Sequence, residues 1–153
     1  MKIQTGIYRN MTRAIITLLF SILLLKVSAQ TGKLYRGTIN KTIKVTLYLQ
    51  GLDEGTNADP IVGSYKYDNK NSYLLLNGYR NSKGNVVLVE QGSPNFSGVF
   101  LGTLHGKIFK GRWVSDDHKK SYSFELVEAV MSSEHAKKFN EAIESKAAQF
   151  RNY

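Results

Sequence analysis

Residues 42–50 read TIKVTLYLQ. Ile43, Val45, Leu47 and Leu49 stand at every second position, with Lys44, Thr46 and Tyr48 between them. Successive side chains of a strand point to opposite faces, so this alternation predicts a half-buried strand. A helix, with its period of 3.6, would scatter the same four residues around its circumference.

The same rhythm continues on both sides. Segments 33–39, 61–67, 72–80, 86–91, 96–104, 107–115 and 120–128 read as further short strands. Turn chemistry separates them: Asn40-Lys41, Asp68-Asn69-Lys70-Asn71, Asn81-Ser82-Lys83-Gly84, Gly92-Ser93-Pro94-Asn95, His105-Gly106 and Asp116-Asp117-His118-Lys119. Residues 51–60 form one longer polar loop. Short connections join antiparallel neighbours, because parallel strands need a long crossover. The expected class is mainly β: an eight-stranded antiparallel up-and-down barrel, which loses its edges by closing, with a β-sandwich as the alternative. Nine tyrosines and 13 glycines against two prolines agree with strands.

The character changes after residue 131. Residues 132–150 contain no glycine or proline, and Ala136, Phe139, Ile143, Ala147 and Phe150 recur at helical spacing. Ser132 or Ser133 can cap the first turn, and Glu134 suits the positive end of the helix dipole. This predicts a C-terminal amphipathic α-helix. Its polar face mixes both signs, unlike a basic membrane-surface helix, so it is expected to pack on the outside of the sheet.

Residues 1–29 read as an address. Lys2, Arg9 and Arg13 open the chain, an apolar run fills residues 14–25, and Val27-Ser28-Ala29 supplies small residues for cleavage. This is the layout of a secretory signal peptide. The apolar run falls short of the about 20 residues a span needs, so no transmembrane segment is expected after cleavage. The organisation is then signal peptide at 1–29, barrel at 30–131 and packed helix at 132–153. The expected location is the periplasm or the outside of the cell. Four of the 21 Lys and Arg lie in residues 1–29, which have no acid. The remainder sets 17 basic against 12 acidic residues, a net +5 instead of +9. The chain has no cysteine, which excludes disulfides, thiolate metal sites and a cysteine nucleophile.

Three segments pair glycine with an aromatic two residues away: Gly63-Ser64-Tyr65-Lys66-Tyr67, the run 96–102 around Gly98, Phe100 and Gly102, and Phe109-Lys110-Gly111-Arg112-Trp113. Residues two apart share a strand face. Strand glycines let a sheet bend, and a neighbouring aromatic covers the backbone they leave bare. Repeated kinks of this kind serve barrel closure.

Over residues 33–150 the pattern resembles small secreted bacterial β-barrels of the calycin kind, the lipocalin-like and avidin-like domains. Eight meander strands with a C-terminal helix look like the lipocalin layout. Lipocalins carry a Gly-x-Trp motif at their first strand; here Gly111-Arg112-Trp113 stands in the seventh. The resemblance implies binding at the barrel mouth or interior, without catalysis.

Catalytic patterns are lacking. His105, His118 and His135 stand at no metal-ligand spacing, and no phosphate loop, dinucleotide fingerprint or nucleophile elbow occurs. Glu90, Glu125 and Glu128 are the strand carboxylates, and nothing around them signals burial. The chain is expected not to be an enzyme and to use no cofactor or metal. Lys107, Lys110, Arg112, Lys119 and Lys120 gather near the last hairpins, but export argues against nucleic acid as a partner. Two functions stand. The first is an exported binding protein that holds a small, largely apolar ligand in or at the mouth of the barrel, lined by Tyr65, Tyr67, Phe100 and Trp113. The alternative is a secreted protein-binding module, an inhibitor or immunity protein, that contacts an extracytoplasmic partner through hairpin tips at His105, Lys107, Asp116, Asp117 and His118.

Overall fold

The computed structural model describes residues 32–52, 59–92 and 95–150. The expected signal peptide, the middle of the 51–60 loop, Ser93-Pro94 and the last three residues lie outside them. Eight strands follow in order: β1 (Lys33–Ile39), β2 (Ile43–Gln50), β3 (Asp59–Tyr67), β4 (Leu74–Arg80), β5 (Asn85–Gln91), β6 (Phe96–His105), β7 (Ile108–Ser115) and β8 (Ser121–Ala129). Helix α1 (Ser133–Phe150) ends the described chain. Each strand pairs antiparallel with the next, and β1 pairs with β8, so the sheet is a closed barrel and not a sandwich. The β1–β2, β3–β4, β5–β6 and β7–β8 connections meet at one end, called here the near end. The remaining hairpins form the far end.

Alternation decides what fills the barrel. Tyr35, Val45, Leu47, Leu49, Tyr65, Leu76, Leu88, Phe100, Phe109, Phe124 and Leu126 all point inward and are buried. Phe124 packs edge-on against Phe109 and Phe100, at ring distances of 4.7 and 5.3 Å, and Phe100 does the same with Tyr65 at 5.4 Å. Such contacts add to the area term of the hydrophobic effect. The interior is a packed aromatic and aliphatic core.

That packing needs glycine where two strands come closest. Gly102 and Gly111 are direct partners across β6 and β7. A Cβ on Gly102 would stand 2.8 Å from Phe124 Cζ and 2.9 Å from Phe109 Cε2, so both rings lie on its bare backbone. Trp113 covers Gly98 in the same way, with its Nε1 2.6 Å from where a Cβ would be. The covering aromatics thus come from neighbouring strands, and not from two residues along the same strand as the sequence spacing suggests. Gly63 is covered by Leu49, an aliphatic neighbour.

Helix α1 starts where Ser132 accepts the His135 N–H at 3.2 Å, and Glu134 pairs with Lys138 at 2.7 Å one turn on. Phe139 and Ile143, four apart, are the buried pair of its apolar stripe. They meet Leu34, Tyr48 and Leu75 on the outside of the barrel. Gln50 donates to Asn140 Oδ1 at 2.7 Å and ties β2 to the helix. This corrects the reading of β2 as half-buried: Tyr48 on its outer face is 1% exposed, because α1 covers it. Ile43, in phase with the core residues, is 38% exposed because it sits at the strand end beside the turn.

Candidate functional site

The residues of the expected ligand lining do come together. Tyr65 and Phe100 are core residues, and Tyr67 and Trp113 pack against the same core half-buried, near the mouth at the near end. Sequence reasoning missed the group that organises them. Glu90 is 3% exposed and points into the barrel. The expectation that no pattern signals its burial is therefore corrected. Val86, Leu88 and Glu90 share one strand face, so the carboxylate is carried inward by the alternation that buries the two aliphatics. That phase was the available signal.

The backbone prepares the partners of Glu90. The β5–β6 ladder shifts between Glu90, opposite Gly98, and Gln91, opposite Phe96. Ser97 is the extra residue of this bulge, and its hydroxyl donates to Glu90 Oε1 at 2.6 Å. Gly98 admits the Trp113 ring, whose Nε1–H donates to Glu90 Oε2 at 2.9 Å. Tyr65 donates its hydroxyl proton to the same oxygen. Three donors on two oxygens match an acceptor-only carboxylate. Tyr67 Oη lies 3.3 Å from Tyr65 Oη. The Trp113 ring stacks on Tyr122 at 6.0 Å with 5° between planes and completes the plug.

Burial, then the charge of Glu90, pushes the Tyr65 hydroxyl far above its ordinary value. Burial raises Tyr67 as well, partly offset by its hydrogen bond to Tyr65. A raised tyrosine favours the neutral form in the folded state. Its contribution is complete below the ordinary value of 10.0 and is lost as pH rises beyond it. Tyr65 alone is expected to cost stability at about 1.4 kcal/mol per pH unit above about pH 10. Urea unfolding between about pH 8 and 11 checks this, and stability that stays level to pH 11 contradicts it.

The hairpin-tip residues do not converge. His105 and Lys107 flank the β6–β7 turn at the far end, while Asp116, Asp117 and His118 form the β7–β8 turn at the near end. All of β7 separates them, about 25 Å at the rise of a strand. Asp117 accepts from Ser115 Oγ at 2.6 Å and from the Lys119 N–H at 3.1 Å, and these two bonds hold its carboxyl below the usual range. His118 has a φ of 59°, so this segment is a built turn. The three histidines stand at the far tip, the near turn and the helix start. Among the described residues no cluster of three His, Asp or Glu side chains has the arrangement of a metal site.

A continuous apolar face lies outside the barrel. α1 covers the outside of β2, β3 and the start of β4, and leaves the rest of β4 to β7 bare. Two cross-strand rows run over the bare part: Tyr79, Val87, Leu101 and Arg112, then Asn77, Val89, Val99 and Val114. Tyr79 is 58% and Leu101 49% exposed. A cleft of about 330 Å³ opens beside Tyr79, Val87 and Leu101, and one of about 390 Å³ beside Tyr79, Val87 and Val89. Within β4–β7 the charge is mostly positive, although Lys110 has the exposed Glu125 of β8 as its ladder partner. From residue 74 to 115 the one carboxylate is Glu90, which is buried inside. Lys83, Lys107, Lys110 and Arg112 are exposed, and Arg80 turns in to donate to the Leu52 carbonyl at 2.5 Å.

The closed eight-strand meander is consistent with a calycin-like topology. Comparison with protein-family models, with curated proteins and with solved structures finds no match to this chain.

Proposed function

We propose that this chain is an exported, non-enzymatic binding protein that works from the outside of its barrel and docks an acidic partner protein on the β4–β7 face. The observation that carries the reading is the filled interior: with Tyr35, Tyr65, Phe100, Phe109 and Phe124 packed at its centre, the barrel leaves no ligand-sized space among them. Binding is then carried by the surface. The uncovered rows through Val87 and Leu101 offer an apolar centre, and Lys83, Lys110 and Arg112 give it a rim with more cations than carboxylates, the exposed Glu125 of β8 standing opposite Lys110. Charge complementarity selects an acidic protein with an apolar patch of its own. The signal-like pattern at residues 1–29 supports export.

The test is native mass spectrometry of the protein isolated from its own cells, followed by titration of the partner it retains. A stoichiometric acidic protein is expected, held less firmly as salt rises. The double change Leu101→Glu and Arg112→Glu is expected to weaken it about 100-fold, because a central anchor and a rim charge are both reversed. Lys44→Glu, on the opposite side, leaves binding unchanged. Full binding by the double variant overturns the reading. So does binding to anionic lipid vesicles alone, or a bound small molecule without a protein.

A further inference from the structure

We propose that the cleft between α1 and the outer face of β1–β3 is a second binding site, one for small hydroxyl-bearing organic anions, the chemical class of uronic acids and sugar phosphates. The ladder sets Arg36, Thr46 and Lys66 side by side on three adjacent strands. Each alternates with an inward core residue, so all three point outward. Arg36 and Lys66 thus stand two strand spacings apart, about 10 Å, with Thr46 between them. The start of α1 forms the opposite wall with His135 and Lys138. The cleft, open to solvent on one side, has a volume of about 550 Å³, within the range that holds a sugar-sized ligand.

The charge is directed into this space. Among the described residues Arg36 has no ion-pair partner, and Lys66 meets only the Lys70 carbonyl at 3.5 Å and the face of Tyr73 at 5.9 Å. Lys138 is held by Glu134 at 2.7 Å. Asp68 is the one carboxylate in the lining, and Thr46 Oγ1 donates to its Oδ1 at 2.8 Å. One positive charge remains after Asp68 is set against Arg36 and Lys66, and the positive end of the α1 dipole adds to it. A bare anion would use the cations and leave Asp68 opposed. A ligand that is also rich in hydroxyls uses both: the cations take its oxyanion, and Asp68, Asn71 and Thr46 take its hydroxyls. This site lies on the side of the barrel away from the β4–β7 face, so it does not depend on that face binding anything.

The experiment is a titration of the isotopically labelled protein, followed through its amide resonances at constant ionic strength. The probes are glucuronate, glucose 6-phosphate, glucose and inorganic phosphate. Saturable shifts centred on Arg36, Thr46, Lys66 and His135 are expected for glucuronate or glucose 6-phosphate, with half-saturation near or below about 1 mM. Which of the two binds tells whether carboxylate or phosphoryl is the recognised group. Glucose and inorganic phosphate are expected to bind at least about tenfold more weakly, each lacking half of the recognition. Arg36→Gln and Lys66→Gln, at outward positions, are each expected to cost about tenfold with an unchanged melting temperature. Lys120→Gln, in the β7–β8 turn and outside both surfaces, leaves binding in the cleft unchanged. The proposal falls if neither organic anion saturates, if the shifts scatter away from the cleft, if inorganic phosphate equals glucose 6-phosphate, or if both cleft variants bind as the parent does.

Discussion

A Gly111→Val chain is expected to lose its folded state, or to keep one at least about 4 kcal/mol less stable. Gly111 faces Gly102 across the β6–β7 ladder. A side chain on it would run into the carbonyl oxygen of Leu101 and stand 2.5 Å from Gly102 Cα. These are backbone atoms of a hydrogen-bonded ladder, and they cannot rotate aside as a flexible side chain would. Ordinary overpacking costs about 1–3 kcal/mol, and here relief would require two strands to part in the wall of a closed barrel. Total stabilities are about 5–15 kcal/mol, so the loss consumes much of the margin. Gly111→Ala is expected to fall between parent and valine. Circular dichroism and urea unfolding measure the series. A valine variant within 1 kcal/mol of the parent would show that the strands have room the structure denies them.

Glu90→Ala is expected to destabilise the protein by about 3–5 kcal/mol, and Glu90→Gln by only about 1 kcal/mol. Alanine leaves the Trp113 Nε1–H, the Ser97 hydroxyl and the Tyr65 hydroxyl around an empty volume. Tyr65 can turn its proton to Tyr67, 3.3 Å away, but the indole N–H has nowhere to turn. Glutamine keeps the volume. Its carbonyl oxygen can accept from Tyr65 and Trp113, and its amide can donate to Ser97, whose hydroxyl serves equally as acceptor. The contrast between the two variants is the test, read by urea unfolding. Trp113 is the single tryptophan of the chain, so its fluorescence reports on this cluster directly. Equal losses for alanine and glutamine would mean that the hydrogen bonds do not matter as drawn.

The strands were legible because alternation of apolar and polar residues is written locally. β1 falls at the expected residues, and the ends of the others shift by one or two positions. The helix was legible for the same reason, since Phe139 and Ile143 lie four apart in a stretch free of breakers. What required three dimensions was everything set by register. Whether Trp113 lies on Gly98 depends on how β6 and β7 align, and no single segment records that alignment. Tyr48 read as exposed because its cover, Phe139, lies 91 residues away. Glu90 read as exposed because its charge outweighed its phase, although Val86 and Leu88 on the same face indicated the inside. The outer face of β4–β7 was hidden for a related reason: only once α1 is docked elsewhere does it become clear which apolar rows stay bare.

The order of the strands bears on how the chain reaches this structure. Seven of the eight ladders join neighbours in sequence, and each can zip as soon as its hairpin exists. The eighth joins β1 to β8, and its partners Leu34 and Ala129 are separated by almost the whole barrel. A chain made from its N terminus exposes β1 first and β8 last. Throughout that interval the free side of β1 presents unpaired N–H and C=O groups, the kind of edge on which other chains aggregate. Arg36 lies on that strand with its charge turned outward, where it discourages a second chain from pairing before the proper one arrives. The final ladder is thus the late step of folding, with the largest loop to close.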